Sequence, residues 1–335
     1  MPRTPIELSR AQILAFRRRV GALDERLPRG ARSLRQAAWA GLQDSMPRAA
    51  LLSIHARVDG TRPSTWEDPS LVQVWGPRFS VYVVAARDHA IFTLGRHPDD
   101  ACGRRRAEDM AARLHGILAG RRITDREVGL GNRIRYATTT GTVLIRWEGA
   151  RAPTVRSVPA PEIDPLQARL ELARRYLHVF GPTTPGSFAT WAGMGSPQSR
   201  VAFEALGSTL TAVRTPIGDA WILARDEPAL REPVEPPAAV RLLPSGDAYY
   251  LLQGADRELL VPDAARRGEL WTSRVWPGAV LVAGEIAGTW RRAQAKLTID
   301  PWRRFSRLER EAVELEAQSL PLPGAEGQIV VGWSD

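Results

Sequence analysis

The chain has 335 residues, 44% hydrophobic and 25% charged, which is ordinary for a globular protein and long enough for two or three domains with their own cores. Its one cysteine, Cys102, excludes an internal disulfide and any zinc site built on several thiolates, and no apolar run reaches the roughly 18 residues of a membrane-spanning helix. The formal net charge of +9 favours a polyanionic partner, although only Lys296 of the 46 basic residues is lysine, a bias that GC-rich coding alone would produce.

The opening residues MPRTPIELSR hold no apolar core segment, so no secretory leader is expected and the cytoplasm is the expected location. Ser9 and Gln12 form a capping box before a helix whose apolar residues are Ile13, Phe16, Val20 and Leu23; Arg17, Arg18 and Arg19 around it are expected to be a solvated face. Residues 27–30 break that helix. A second is expected over about 34–42, and a third from Pro47, at its first turn, to about residue 58. Strand-like residues follow at 79–85 and 91–94. Three helices and then a hairpin is the order of a winged helix, here residues 1–102.

A second such module is expected over 103–160. It has a helix at about 107–118, a capping box at Thr124 and Glu127, and a strand at 142–147. The third, 161–226, is the clearest. Residues 166–180 carry Leu170, Ala173, Leu177 and Phe180 on one helical side, and Gly181-Pro182 stops the helix. Thr184-Pro185 and Ser196-Pro197 then start two short helices, ending at Gly193 and Gly207. Strands at 210–213 and 220–224 complete the pattern of a helix-turn-helix with a wing.

Residues 227–239, rich in proline and glutamate, read as a linker. Beyond them, 240–335 reads as a small β-rich domain, with strands at 249–252, 279–283, 286–290, 296–299 and 328–331, a turn at Gly284-Glu285 and a helix at about 305–318. The fold class expected is thus α+β, tandem winged-helix modules followed by a β-rich C-terminal domain.

Three segments carry a family resemblance. GLQDSMPRAALLSIHARV resembles the stretch that holds the catalytic Gln-x-Gln motif of AlkZ-like DNA glycosylases. ARRYLHVFGPTTPGSFATWAG is similar to their third winged helix, and LVPDAARRGELW with VLVAGEIAGTWRR to their C-terminal β-domain. The resemblance implies a concave basic surface for double-stranded DNA carrying alkylated bases. It also implies hydrolysis of the N-glycosidic bond of an N7-substituted purine by a monomer without a cofactor. It places Gln43 at the first motif position. Ser45 stands at the third, where the family has glutamine or aspartate, and Asp44 stands between them at a position usually apolar. A cationic leaving base needs a dipole or charge near the sugar and a held water. Gln43, Asp44 and Ser45 are therefore the candidate catalytic residues. The plain structural alternative is that Ser45 caps the next helix and that Asp44 serves its dipole.

Arg48, Arg133, Arg135, Arg146, Arg200, Arg291 and Arg292 are the candidate phosphate contacts, Arg200 lying on the expected recognition helix of the third module. Trp75, Trp191 and Trp290 fall in apolar patterns and are expected in the core; Trp39 is either core or the wall of a pocket. The five histidines show no metal spacing, and no glycine-rich phosphate loop is present. With only Lys296 and the N-terminus able to form a Schiff base, strand nicking is not expected. The competing reading is a DNA-binding protein without catalysis: a damage sensor, a resistance factor or a transcriptional regulator.

Overall fold

A computed structural model describes residues 6–46, 48–149, 151–322 and 328–334. The chain begins with a short strand, β1 (Ile6–Glu7), and α1 (Arg10–Val20), whose capping box forms as expected, with the Gln12 side-chain oxygen accepting from the Ser9 amide at 2.9 Å. Arg17 and Arg18 depart from expectation, because both are buried. The Arg17 guanidinium donates to the carbonyls of Phe180 at 2.5 Å and Gly181 at 3.0 Å. Those carbonyls close a later helix and have no partner within it. Arg18 pairs with Asp24 at 2.8 Å and donates to the Gly284 carbonyl at 3.0 Å. A long arginine stem can be buried when its head finds carbonyls at the far end.

The second helix, α2 (Ala31–Ala37), stops five residues before its expected end. Residues Leu42–Gln43 form strand β2 instead, drawn to pairing partners that lie much later in the chain. Helix α3 (Ala49–His55) follows; Pro47, expected in its first turn, lies outside the described residues. Strands β3 (Leu71–Trp75) and β4 (Val81–Ala85) make the first hairpin, and β2 pairs with β4. Residues 91–94, expected as a strand, belong to α4 (His89–Leu94), and the hairpin's other strand is β3. Four residues of apolar run do not distinguish strand from buried helix.

Helix α5 (Ala101–Leu118), strand β5 (Ile123–Thr124), helices α6 (Asp125–Val128) and α7 (Ile134–Ala137) and the hairpin β6 (Val143–Arg146) and β7 (Thr154–Ser157) make the next stretch. The Thr124–Glu127 capping box is present. The third stretch matches the sequence pattern closely: α8 (Pro165–Phe180), α9 (Pro185–Ala192), α10 (Ser196–Leu206), then the hairpin β8 (Leu210–Thr215) and β9 (Gly218–Leu223). Trp191 packs on Tyr176, Phe180 and Phe188, with ring centroids between 5.0 and 6.3 Å apart.

One turn of helix, α11 (Glu227–Leu230), opens the expected linker. The C-terminal part contains β10 (Arg241–Leu243), α12 (Asp256–Leu260), α13 (Ala264–Leu270), β11 (Gly278–Val282), β12 (Glu285–Ala293), β13 (Lys296–Pro301), α14 (Arg307–Gln318) and β14 (Val330–Trp333). Residues 249–252 are not a strand. They are a tight turn and irregular backbone, pinned where the Tyr250 hydroxyl meets the carbonyls of Pro244 at 2.7 Å and Pro277 at 2.8 Å. The tight turn of the β11–β12 hairpin lies one residue earlier than expected, at Ala283 and Gly284, since Val282 and Glu285 are paired.

Among the described residues the strands form three sheets, ordered β1-β8-β9, β2-β4-β3-β6-β7-β5 and β10-β11-β12-β13-β14. The six-stranded sheet joins the first two hairpins, and β1 reaches the third hairpin in parallel. One buried cluster draws on all parts: Tyr82 from β4, Trp191 from α9, Tyr250 and Leu281 from the C-terminal part. The protein is a mixed α+β fold whose segments share a core, and β2 lies within that shared framework. No described helix is long and apolar enough to cross a membrane.

Candidate functional site

Side chains alternate across a strand, so consecutive residues of the Gln43-Asp44-Ser45 segment leave β2 on opposite faces. Gln43 lies opposite Tyr82 of β4, and the pairing continues one residue further through the Asp44 amide, which donates to the Val81 carbonyl at 2.8 Å. Leu42 faces the apolar cluster under α3. Asp44 follows it inward and is 1% exposed. One Asp44 oxygen accepts from the Ala50 amide in the first turn of α3 at 3.0 Å; the other accepts from the Gln73 amide at 2.9 Å. Gln73 in turn accepts from the Trp147 backbone amide at 2.7 Å, so the motif is tied through Asp44 to β6. Burial pushes the Asp44 carboxyl up to about 6, against the opposing pull of the Ala50 amide, Arg48 and Gln73.

Gln43 points the other way and is half-buried. Its side-chain oxygen accepts from the Arg78 guanidinium at 3.0 Å and, at 3.5 Å, from the Tyr82 hydroxyl. Two glycines make this arrangement possible. A side chain on Gly246, where φ is +76°, would begin 3.2 Å from the Gln43 amide nitrogen. One on Gly193, where φ is +68°, would begin 2.9 Å from the Arg78 backbone. Arg78 sits in the β3–β4 turn, where it and Phe79 hold left-handed φ of 54° and 56°, a conformation that costs a non-glycine residue energy and needs surrounding structure to maintain it. Burial also holds the neighbouring Arg96 guanidinium down at about 10; it donates to the Ala192 carbonyl at 2.7 Å and lies over the Phe79 ring. Ser45 is exposed.

A search against family models matches residues 35–321 to the family described as "DNA glycosylase AlkZ-like", most of the chain including the Gln43 segment. The chain belongs to the AlkZ-like DNA glycosylase family. It is 30% identical over 161 residues to the interstrand DNA cross-link repair glycosylase of Streptomyces sahachiroi; that stretch covers 46% of this chain and 42% of the relative, less than half of its length. The solved structure of Streptomyces sahachiroi DNA glycosylase AlkZ matches with a TM-score of 0.79 at 19% identity, over 98% of this chain and 100% of that one, and so shares the fold.

The AlkZ-like chain distributes its candidate arginines unevenly. Arg48 and Arg146 converge beside the motif: both guanidiniums lie over the Trp66 ring, at 4.3 and 5.0 Å, and Arg146 also pairs with Glu67 at 2.7 Å. Arg48 itself takes a left-handed φ of 64° just before α3. Arg135 is half-buried over Trp75, while Arg133 and Arg200 are exposed on separate elements. Arg291 and Arg292 are exposed on β12. Trp75, Trp191 and Trp290 are buried, and half-buried Trp39 lines a cavity.

Arg78, Tyr82 and Gly246 are the residues at Gln43 that sequence reasoning did not reach. The Gly76-Pro77 pair was a turn signal for Arg78. Nothing local marks Gly246, because its role comes from a contact two hundred residues away from its own neighbours.

Proposed function

We propose that this protein is a monofunctional DNA glycosylase that hydrolyses the N-glycosidic bond of cationic, N7-substituted purines in double-stranded DNA. In this reading residues 1–102, 103–160 and 161–226 act as three winged-helix modules, followed by the 227–239 linker and the β-rich domain of residues 240–335. The protein works as a cytoplasmic monomer. The observation that carries the proposal is that Gln43, the residue the motif resemblance singles out, lies on the face opposite Asp44 with its amide oxygen held by Arg78, in a segment inside the family match.

The chemistry follows from the charges. In an N7-alkylated purine the base already carries the positive charge, so the C1′–N bond breaks with its electron pair going to the base, which leaves neutral. Positive charge then develops on the sugar, and a water attacks C1′ and releases a proton to solvent. Gln43 and Ser45, on the same side of the strand, hold that water and face the sugar. Asp44 acts from behind, fixing the turn through Ala50 and Gln73. In the free protein the Gln43 oxygen is taken by Arg78. A DNA phosphate is a better acceptor for a guanidinium than a neutral amide. Binding therefore draws Arg78 away and frees the Gln43 oxygen for the water. Arg48, Arg133, Arg135, Arg146, Arg200, Arg291 and Arg292 supply further phosphate contacts.

The engagement of the Gln43 oxygen by a cation, together with the short side chain of Ser45, favours one second reading: DNA binding without base release, as in a damage sensor. Release of N7-methylguanine from a labelled duplex, with abasic sites revealed by alkali, separates the two. Release by the native protein and not by Gln43→Ala supports the glycosylase. If DNA is bound and neither N7-methylguanine nor a bulkier N7 adduct is released, the second reading replaces it.

A further inference from the structure

A cavity of about 570 Å³ has Gly41 and Leu42, the residues that lead into Gln43, in its wall, while Gln43 itself does not line it. Its volume is that of a small-molecule site. Its chemistry is one-sided. Arg17, Arg32, Arg35, Arg57, Arg87 and Arg225 line it, and no aspartate or glutamate does so among the described residues.

These arginines are not all spent. Arg57 is neutralised by Asp247 through two bonds of 2.7 and 2.8 Å. Arg87 and Arg225 stand 3.8 Å from Asp88 and Asp226, loose contacts at exposed side chains. Among the described residues Arg17, 2% exposed, is hydrogen-bonded only to neutral carbonyls, and its remaining terminal nitrogen has no partner. Arg32 and Arg35 rise from α2 at the rim. Asp256 opposes the Arg17 charge only from a distance, without an ion pair among the described residues, and a buried guanidinium so weakly neutralised is costly. An anion in the cavity would relieve that cost.

The remaining walls suit a flat ring. Trp39 lines the cavity, steadied by His178 edge-on at 5.2 Å and by the Arg175 guanidinium 5.2 Å over its ring, and Tyr249 lines it too. His178 is held in turn by Asp226 at 2.9 Å. We propose that this cavity is a binding site for a mononucleotide-class ligand, its base against Trp39 and Tyr249 and its phosphate among Arg17, Arg32 and Arg35. The same chemistry is offered by a free mononucleotide and by an unpaired nucleotide of a DNA strand.

The test is titration calorimetry on the full chain without DNA. The probes are guanosine 5′-monophosphate, guanosine, inorganic phosphate and a short single-stranded oligonucleotide. Guanosine 5′-monophosphate is expected to bind in the micromolar to submillimolar range, and guanosine and phosphate each at least about tenfold more weakly, the loss of one stacking or charge contact. The Arg32→Glu/Arg35→Glu variant, at exposed and half-buried positions, should fold and melt as the native chain does and weaken the mononucleotide at least about tenfold. Trp39→Leu should do the same if it folds. Binding of the oligonucleotide without the mononucleotide assigns the occupant to a strand only if the double arginine variant weakens it at least about tenfold, and otherwise overturns the proposal. No binding of either at millimolar concentration overturns the proposal, as does affinity unchanged in the double arginine variant. The experiment has no base-release readout, so its failure is distinct from failure of the proposed glycosylase activity.

Discussion

Replacing Asp44 by asparagine should remove a pH dependence that the fold has built in. In the native chain the carboxyl is 1% exposed and burial raises it from 3.8 to about 6. The folded state therefore holds a proton that the unfolded state has lost, throughout the window between those two values. Stability from this group is full below pH 3.8 and is lost as pH rises through 6. The shift corresponds to about 3 kcal/mol, at 1.36 kcal/mol per unit. Asparagine keeps an oxygen for the Ala50 amide but turns an NH2 towards Gln73, a conflict whose cost is the same at every pH. The difference between the two urea-unfolding curves, followed from pH 4 to 7, thus isolates the ionisation. The native chain should lose about 2 kcal/mol relative to Asp44→Asn across that range, since part of the full effect is already lost below pH 4. Parallel curves would show that Asp44 ionises as it does in water and would end the argument that it is a buried anchor.

Four further outcomes are expected. Gln43→Ala should abolish base release while its affinity for undamaged duplex, read by gel mobility, stays within about twofold; equal release by the mutant would put the chemistry elsewhere. Gly246→Ala forces a side chain into a left-handed residue 3.2 Å from the Gln43 amide, and should cost about 1 kcal/mol in denaturant together with a marked drop in single-turnover rate. Arg57→Met strands the buried Asp247 carboxylate and should destabilise the fold by about 3–5 kcal/mol in the same assay, whereas a loss below about 1 kcal/mol would mean that Asp247 reaches water. Duplex affinity should fall with salt at about 0.9 log units per log unit of salt for each phosphate contact, so a flat response would remove the arginines from the interface.

Where a segment's structure is decided by its own residues, the sequence is readable. Helix α8 has its apolar stripe, its Asp164 cap and its Gly181 stop within one stretch, and α9 and α10 each carry a proline in their first two residues. The Ser9 and Thr124 capping boxes close over three residues. What was misread depended on distant partners. Leu42 continues an apolar pattern that looks helical until β4 captures it, and residues 91–94 are too few to show a period. Arg17 looks like surface because the carbonyls that bury it belong to residues 180 and 181. At the candidate site, the motif resemblance singles out Gln43, but the direction of Asp44 is not legible from it. That direction depends on whether Gln43 pairs with Tyr82, a register set by strands still to come.

The parallel pairing of β1 with β8 has a consequence for how the protein comes to exist. Ile6 and Glu7 pair with Val213 and Arg214, so this strand finds its partner only after some two hundred further residues have been synthesised. Contacts so distant in sequence are slow to form, since a long loop must be closed before they repay its entropy. The emerging N-terminal segment therefore waits with its apolar helix face uncovered, in reach of chaperones and proteases. When the strand does close, it fastens α1 and its neighbours to the third hairpin like the last stave of a barrel. Truncation after residue 160 should leave an aggregating fragment rather than two free-standing modules.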